Sequence, residues 1–248
     1  MEYELPFFDE RNAPIDTVIL HCNAFNAEQA VESFRQAEVS AHYLIGLDGK
    51  VRQLVDDDKR AWHAGKSFWQ GREGINHNSI GIEICNLSLG QSAYDKKQIR
   101  ALIYLCRKLM KKYNIKPQNV LGHSDIAPTR KPDPGVCFPW RYLARHGIGR
   151  WYNLQNADKV TETDEVKMLK SIGYDVSDLT AAKWAFCRHW LPDEVPVDKD
   201  IMHLLDNPYN KSFDADEHKF MTVLKAVYWQ LCVKNQKTFK TQLTKICD

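Results

Sequence analysis

The chain has 248 residues, with 34 basic and 32 acidic side chains, a net charge of +2 and 44% apolar residues. This is enough for one large domain, or a medium domain with a small one, and so even a balance gives no electrostatic footprint for nucleic acid. No run approaches the ~18–20 apolar residues of a membrane span, which excludes a transmembrane helix.

Charge is also even along the chain, with 21 basic against 17 acidic residues up to Gln155 and 13 against 15 beyond it. Met1–Pro14 is acidic and polar, with neither a basic n-region nor an apolar h-region, so the sequence as written carries no signal peptide. Seven scattered cysteines (Cys22, Cys85, Cys106, Cys137, Cys187, Cys232 and Cys247) form no C-x-x-C pair. Neither a disulfide framework nor a cysteine zinc knuckle is expected.

Asp16–Leu20 reads as a buried strand that carries His21 at its C-terminal end. Ala27–Gln36 has helical spacing. Two apolar runs, Ala41–Leu47 and Lys50–Val55, flank Asp48-Gly49, which predicts a β-hairpin with a primed turn. Asp57–Gly74 is irregular and rich in Gly, Trp and His. In Ser79–Cys85, Ile80, Ile82 and Ile84 alternate to one side of a strand and Glu83 to the other. Asp95–Tyr113 is the clearest helix, with Ile99, Leu102, Ile103, Cys106, Leu109, Met110 and Tyr113 on one face. Asn119–Leu121 is a short strand, and strands mixed with helices in this order predict an α/β fold with a mixed central sheet flanked by helices.

The patterning turns polar between Trp151 and Thr163, which divides the chain into residues 1–155 and a helical unit over 160–248. Glu165–Ile172, Leu179–Leu191 and Asp216–Val233 have helical spacing and make a small three-helix module.

The densest chemistry lies in Val120–Gly135, where a histidine, a lysine and two aspartates share a segment with three prolines and two glycines. Prolines at that density predict a shaped loop in place of a helix or central strand. Loops of this kind on a rigid scaffold carry function. Of nine histidines, His146, His189, His203 and His218 lie in ordinary amphipathic or polar surroundings. His21 and His123 differ, because each closes an apolar strand, and Asp133 follows ten residues after His123. Two imidazoles and a carboxylate compose a catalytic zinc site with a fourth position open for water, although three unrelated polar residues would have the same spacing.

The segments Val18–His21, Ser40–Leu44, Ala61–Gly65, Ser79–Glu83 and Gly122–Gly135 occur in the same order in a known family. They resemble the zinc-dependent N-acetylmuramoyl-L-alanine amidases of the AmpD/AmiD type, which share their fold with phage amidases and peptidoglycan recognition proteins. The resemblance runs from about Pro14 to Trp151, with Phe138-Pro139-Trp140 closing its most specific block. Leu169–Asp175 resembles more weakly the helical peptidoglycan-binding-like module of AmiD. By position, the resemblance implies one Zn2+ per chain held by His21, His123 and Asp133 at the strand ends, with Glu83 as catalytic carboxylate and Lys131 as the cation near a developing oxyanion. It implies cleavage of the amide between the lactyl group of N-acetylmuramic acid and L-alanine, in peptidoglycan or muropeptides. A non-catalytic muropeptide recognition protein on the same fold is the alternative.

Other residues keep two readings each. His63 lines the substrate groove or only packs; Trp62 and Trp69 stack on sugar rings or fill the core. Arg130 binds a substrate carboxylate or a neighbouring loop; His42 orients the core or touches substrate. Asp125 caps its turn or supports a ligand from behind, in preference to ligating metal itself. Cys137 is a rival third ligand, as in some phage members, but the ten-residue spacing favours Asp133. Location is divided between the cell envelope, by resemblance to AmiD, and the cytoplasm, by the bare N-terminus. Oligomeric state leaves no trace in the sequence.

Overall fold

Alternation along one strand sets the two faces of the central sheet. The computed structural model describes residues 3–234, so Cys247 lies outside the described residues. Its strands are β1 (Phe8–Glu10), β2 (Thr17–Asn23), β3 (Tyr43–Ile45), β4 (Val51–Gln53), β5 (Lys59–Ala61), β6 (Phe68–Trp69), β7 (Arg72–Glu73), β8 (Ser79–Cys85) and β9 (Val120–Gly122). The helices are α1 (Ala27–Gln36), α2 (Lys96–Tyr113), α3 (His123–Ile126), α4 (Trp140–Arg145), α5 (Glu165–Ile172), α6 (Leu179–Trp190), α7 (Ile201–Asp206) and α8 (Glu217–Tyr228).

The central sheet has the order β4-β3-β8-β2-β9, parallel throughout except for β4 at one edge. This is the mixed sheet that the patterning predicts. One face is apolar: Val18, Leu20, Ile80, Ile82 and Ile84 pack with Ile99, Leu102, Ile103, Cys106 and Leu109 of α2. On the other face, α1 covers Leu44 and Cys85. Ile19 and Leu121 join a second cluster there, built mainly from α5, α6 and α8. Between these two apolar patches the sheet presents His21 and Glu83.

Several expectations are refined. β2 runs two residues past His21, and the strand before His123 is Val120–Gly122. β3 and β4 do form a hairpin, but only Gly49 has positive φ, and its N–H donates to Gly46 O at 2.9 Å. A primed turn needs positive φ at least at its first central residue, and neither Leu47 nor Asp48, the two residues that this bond encloses, has it, so the connection is instead a tight turn closed by a left-handed glycine. Asp57–Gly74 is less irregular than it reads, because it contains β5 and the small β6–β7 hairpin. The proline-rich loop opens with one helical turn, α3, because its prolines begin only at Pro128. A fourth C-terminal helix, α7, joins the three predicted ones. The six described cysteines are all free thiols. Among the described residues no helix is long and apolar enough to cross a membrane.

One buried carboxylate ties the proline-rich loop to the C-terminal helices. Asp125 is fully buried; its Oδ2 accepts the Gly122 N–H and His189 Nδ1–H, both at 2.7 Å, and its Oδ1 accepts the Tyr174 hydroxyl at 2.7 Å. The His189 ring in turn stacks on Trp140, with centroids 3.9 Å apart. Asp125 thus caps its turn and is not part of the His21–His123–Asp133 group. Tyr174→Phe leaves one oxygen of a buried charge unpaired, which costs about 1.5–3 kcal/mol. Thermal unfolding should show a fall in Tm of several degrees; an unchanged Tm would remove Asp125 from this structural role.

Candidate metal centre

Strand register brings the site together before any loop is considered. In the parallel β2–β8 pair His21 lies directly beside Glu83, and in the β2–β9 pair Leu20 lies beside Gly122. His123, the next residue after Gly122, therefore arrives next to His21. Asp133 returns along the proline-rich loop, and its backbone carbonyl accepts the Ser124 N–H at 2.8 Å.

His21, His123 and Asp133 are all buried, and one ligand atom from each lies within 4.8 Å of the others. His21 Nδ1 is 2.9 Å from His123 Nδ1, and Asp133 Oδ2 is 3.1 Å from the second and 3.5 Å from the first. A tetrahedral ion with bonds of about 2.0–2.2 Å separates its ligands by roughly 3.3–3.6 Å, so these three atoms fit a small cation with little movement. Two imidazoles also suit a borderline metal better than Ca2+ or Mg2+, which take oxygen ligands.

The far nitrogens of both imidazoles are held. Ser79 Oγ–H donates to Ile75 O at 2.6 Å, so its lone pair accepts His63 Nε2–H at 3.2 Å. His63 Nδ1 then carries a lone pair and accepts His21 Nε2–H at 2.9 Å. His21 Nδ1 is left unprotonated, the form a ligand needs. His123 Nε2 lies 3.3 Å from Ala64 O, which fixes that ring the same way. Burial, with the nearby His123, lowers the His21 pKa to about 4, so the ring is neutral at pH 7. Burial alone would raise the Asp133 carboxyl, but the close approach of His123 and His21 holds it well below the usual range. His63 reaches this position because Gly81 lies beneath it; a Cβ there would overlap the imidazole.

Glu83 sits next to the triad, with Asn23 Nδ2–H donating to its Oε2 at 3.0 Å. Burial, and then the Asp133 charge, raise its pKa to about 8. The loop geometry depends on a glycine crossing. Gly90 and Gly135 both have positive φ, and a Cβ on Gly90 would overlap the Pro134 carbonyl oxygen. Tyr94 donates to that same oxygen at 2.6 Å.

Around these groups lies a groove of about 760 Å3, whose lining includes Glu83, His63, Trp62, Arg130 and Lys131. Arg130 donates to Ala64 O at 3.0 Å and to Lys66 O, so it braces a neighbouring loop. Trp62 is half-buried on the groove, its indole N–H held by Asp9 Oδ2 at 2.8 Å. Trp69 instead packs edge-on against Tyr174 in the core. His42 is wholly buried; its Nδ1 accepts the Gly81 N–H at 3.0 Å, a structural role. Cys137 lies apart from the triad, its thiol donating to Gln91 O at 3.4 Å. Residues missed by the sequence reading are Asn23 and Ser79, which act through hydrogen bonds, and Ile201, Met202 and Leu205 of α7, which line the groove.

Residues 11–136 match the N-acetylmuramoyl-L-alanine amidase family. The chain belongs to this family. It is 33% identical to the N-acetylmuramoyl-L-alanine amidase AmiD of Escherichia coli K12, over 87% of this chain and 84% of the relative. It is 49% identical to the 1,6-anhydro-N-acetylmuramyl-L-alanine amidase AmpD of the same strain, over 41% of this chain and 55% of AmpD. Its fold resembles E. coli AmiD solved with the substrate anhydro-N-acetylmuramic acid-L-Ala-D-gamma-Glu-L-Lys (TM-score 0.72, 29% identity, 90% of this chain and 98% of that one). AmpDh3 from Pseudomonas aeruginosa is similar too (TM-score 0.71, 30% identity, 87% and 92% covered).

Hydrogen bonds behind the two imidazoles should govern affinity for an ion at the triad. Asp133→Ala should abolish tight metal retention, His63→Ala should weaken it by about 10–100-fold, and Cys137→Ala should leave it unchanged. Competition with a chelating dye reads all three. Retention in Asp133→Ala, with loss in Cys137→Ala, would reassign the third ligand.

Proposed function

We propose that this amidase hydrolyses the amide between the lactyl group of N-acetylmuramic acid and L-alanine in peptidoglycan or its muropeptide fragments, with zinc as its metal. The observation that carries the reading is the buried convergence of His21, His123 and Asp133 beside Glu83, with His123, Asp133 and Glu83 lining one groove. Zinc suits the two imidazoles and one carboxylate, and when bound it supplies Lewis acidity to water and to a carbonyl oxygen.

The chain's own groups then divide the labour. Asn23 holds Glu83 Oε2, which leaves Oε1 free to take a proton from the attacking water and return it to the departing amine. A divalent cation at the triad would lower the Glu83 pKa from about 8 towards neutrality, where proton exchange in both directions is efficient. Lys131 places an ammonium in the groove for the negative charge that develops on the carbonyl oxygen. Arg130 is committed to loop carbonyls and shapes the wall on that side. In this reading catalysis lies within residues 1–155, and 160–248 is a peptidoglycan-binding-like domain whose described helices pack against it.

Metal-loaded protein incubated with a defined muropeptide should release free stem peptide and intact sugar, read by mass spectrometry. Glu83→Ala should slow release by about 10²–10⁴-fold. Peptide that stays attached would support a recognition protein instead. Asn23→Ala removes a hydrogen bond that lowers the Glu83 pKa, so Glu83 becomes harder to ionise. The acidic limb of the kcat/KM profile should move up by roughly half a unit to one unit, the scale of a bond of about 1 kcal/mol. A shift downward, or none, would remove Glu83 as the base.

A further inference from the structure

Four of the large apolar side chains that the protein leaves exposed, Phe25, Val39, Met202 and Leu205, lie on the groove that is also lined by His123, Asp133 and Glu83. Two of the four come from α7, which lies outside the stretch that matches the family, residues 11–136. This helix is only six residues long, yet it is firmly seated. Leu204 is buried in the apolar cluster beneath α2, with Ile201 partly buried beside it. The backbone N–H of Asp198, just before the helix, donates to Gln91 Oε1 at 3.0 Å, a residue next to the Gly90 crossing. Asp200 caps the helix through the His203 N–H at 3.1 Å, and His203 Nδ1 pairs with Asp198 Oδ2 at 2.7 Å.

The inner residues of α7 account for its anchoring. Met202, 66% exposed, and Leu205, 44% exposed, are three residues apart and belong to none of the buried apolar clusters. Scattered exposed apolar residues need no explanation, but a cluster rimming a catalytic groove does. We propose that α7 is a substrate-binding wall, in which Met202 and Leu205 pack against the methyl groups that flank the scissile amide: those of the N-acetyl, lactyl and alanyl units. The proposal rests on the amidase reading for the identity of the ligand. It assigns to the C-terminal part of the chain a direct share in binding at the catalytic groove.

The test uses the full-length, metal-loaded protein and N-acetylmuramoyl-L-Ala-D-Glu. Met202→Ser with Leu205→Ser should raise KM about tenfold, the scale of one or two buried methyl contacts, while kcat stays within twofold. Metal content and Tm should not change, since both side chains are exposed; if the double variant is less stable, Met202→Ser alone should still raise KM about threefold. A ligand with glycine in place of L-alanine should bind the wild type more weakly and lose less on going to the variant, because the missing methyl removes the partner of the missing side chains. A KM unchanged in both variants overturns the wall. If the wild type releases no peptide, the amidase reading fails by itself. Calorimetric titration with the same ligand then still decides the wall: a Kd about tenfold weaker in the variant supports it, and equal Kd values or no binding overturn it.

Discussion

The register of three parallel strands is the constraint on which the rest depends. β2 lies between β8 and β9, and its pairing sets His21 beside Glu83 and one step from His123. Side chains alternate along a strand, so a slip of one residue would turn His21 or Glu83 into the apolar layer under α2. The isoleucines of β8 resist that slip, since Ile80, Ile82 and Ile84 would each be forced out of the core. Hydrophobic burial on one face thus positions the polar chemistry on the other.

A second layer of support comes from groups that have no chemistry of their own. Ser79, His63 and His21 form a one-way chain of donors that ends on a backbone carbonyl and leaves one nitrogen bare. Asp125 plays the matching part for the loop, satisfied by donors from the loop itself, from Tyr174 and from α6. The C-terminal helices therefore do more than cover an apolar patch. They contribute hydrogen bonds to the segment that presents His123 and Asp133, and through α7 they reach the groove.

Much of this was legible in the sequence, for identifiable reasons. α1 and α5 fall at the predicted residues because each has a cap, Asn26 with Gln29 or Asp164, and a regular apolar stripe. His21, Glu83 and His123 could be singled out because short apolar strands display them. Asp133 was not separable from Cys137 by spacing without the resemblance, since a loop's path is set by its partners. His63 shows the limit clearly. Its contact with His21 spans 42 residues and requires the absence of a side chain at Gly81, and no local pattern encodes that. α7 escaped notice because six residues are too few to display a period, and it is apolar on its buried and exposed sides alike. Asp48-Gly49 misled on turn type because the pair fits a primed turn but the chain uses only its glycine in the left-handed region.

The crossing of Gly90 with Gly135 separates two things that are usually found together, the residues that would bind an ion and the residues on which binding depends. Gly90 lies 43 positions before Asp133, yet any side chain there would push the backbone at Pro134, the residue bonded directly to Asp133. A chain altered at Gly90 would thus disturb the metal centre while His21, His123 and Asp133 all remained in its sequence.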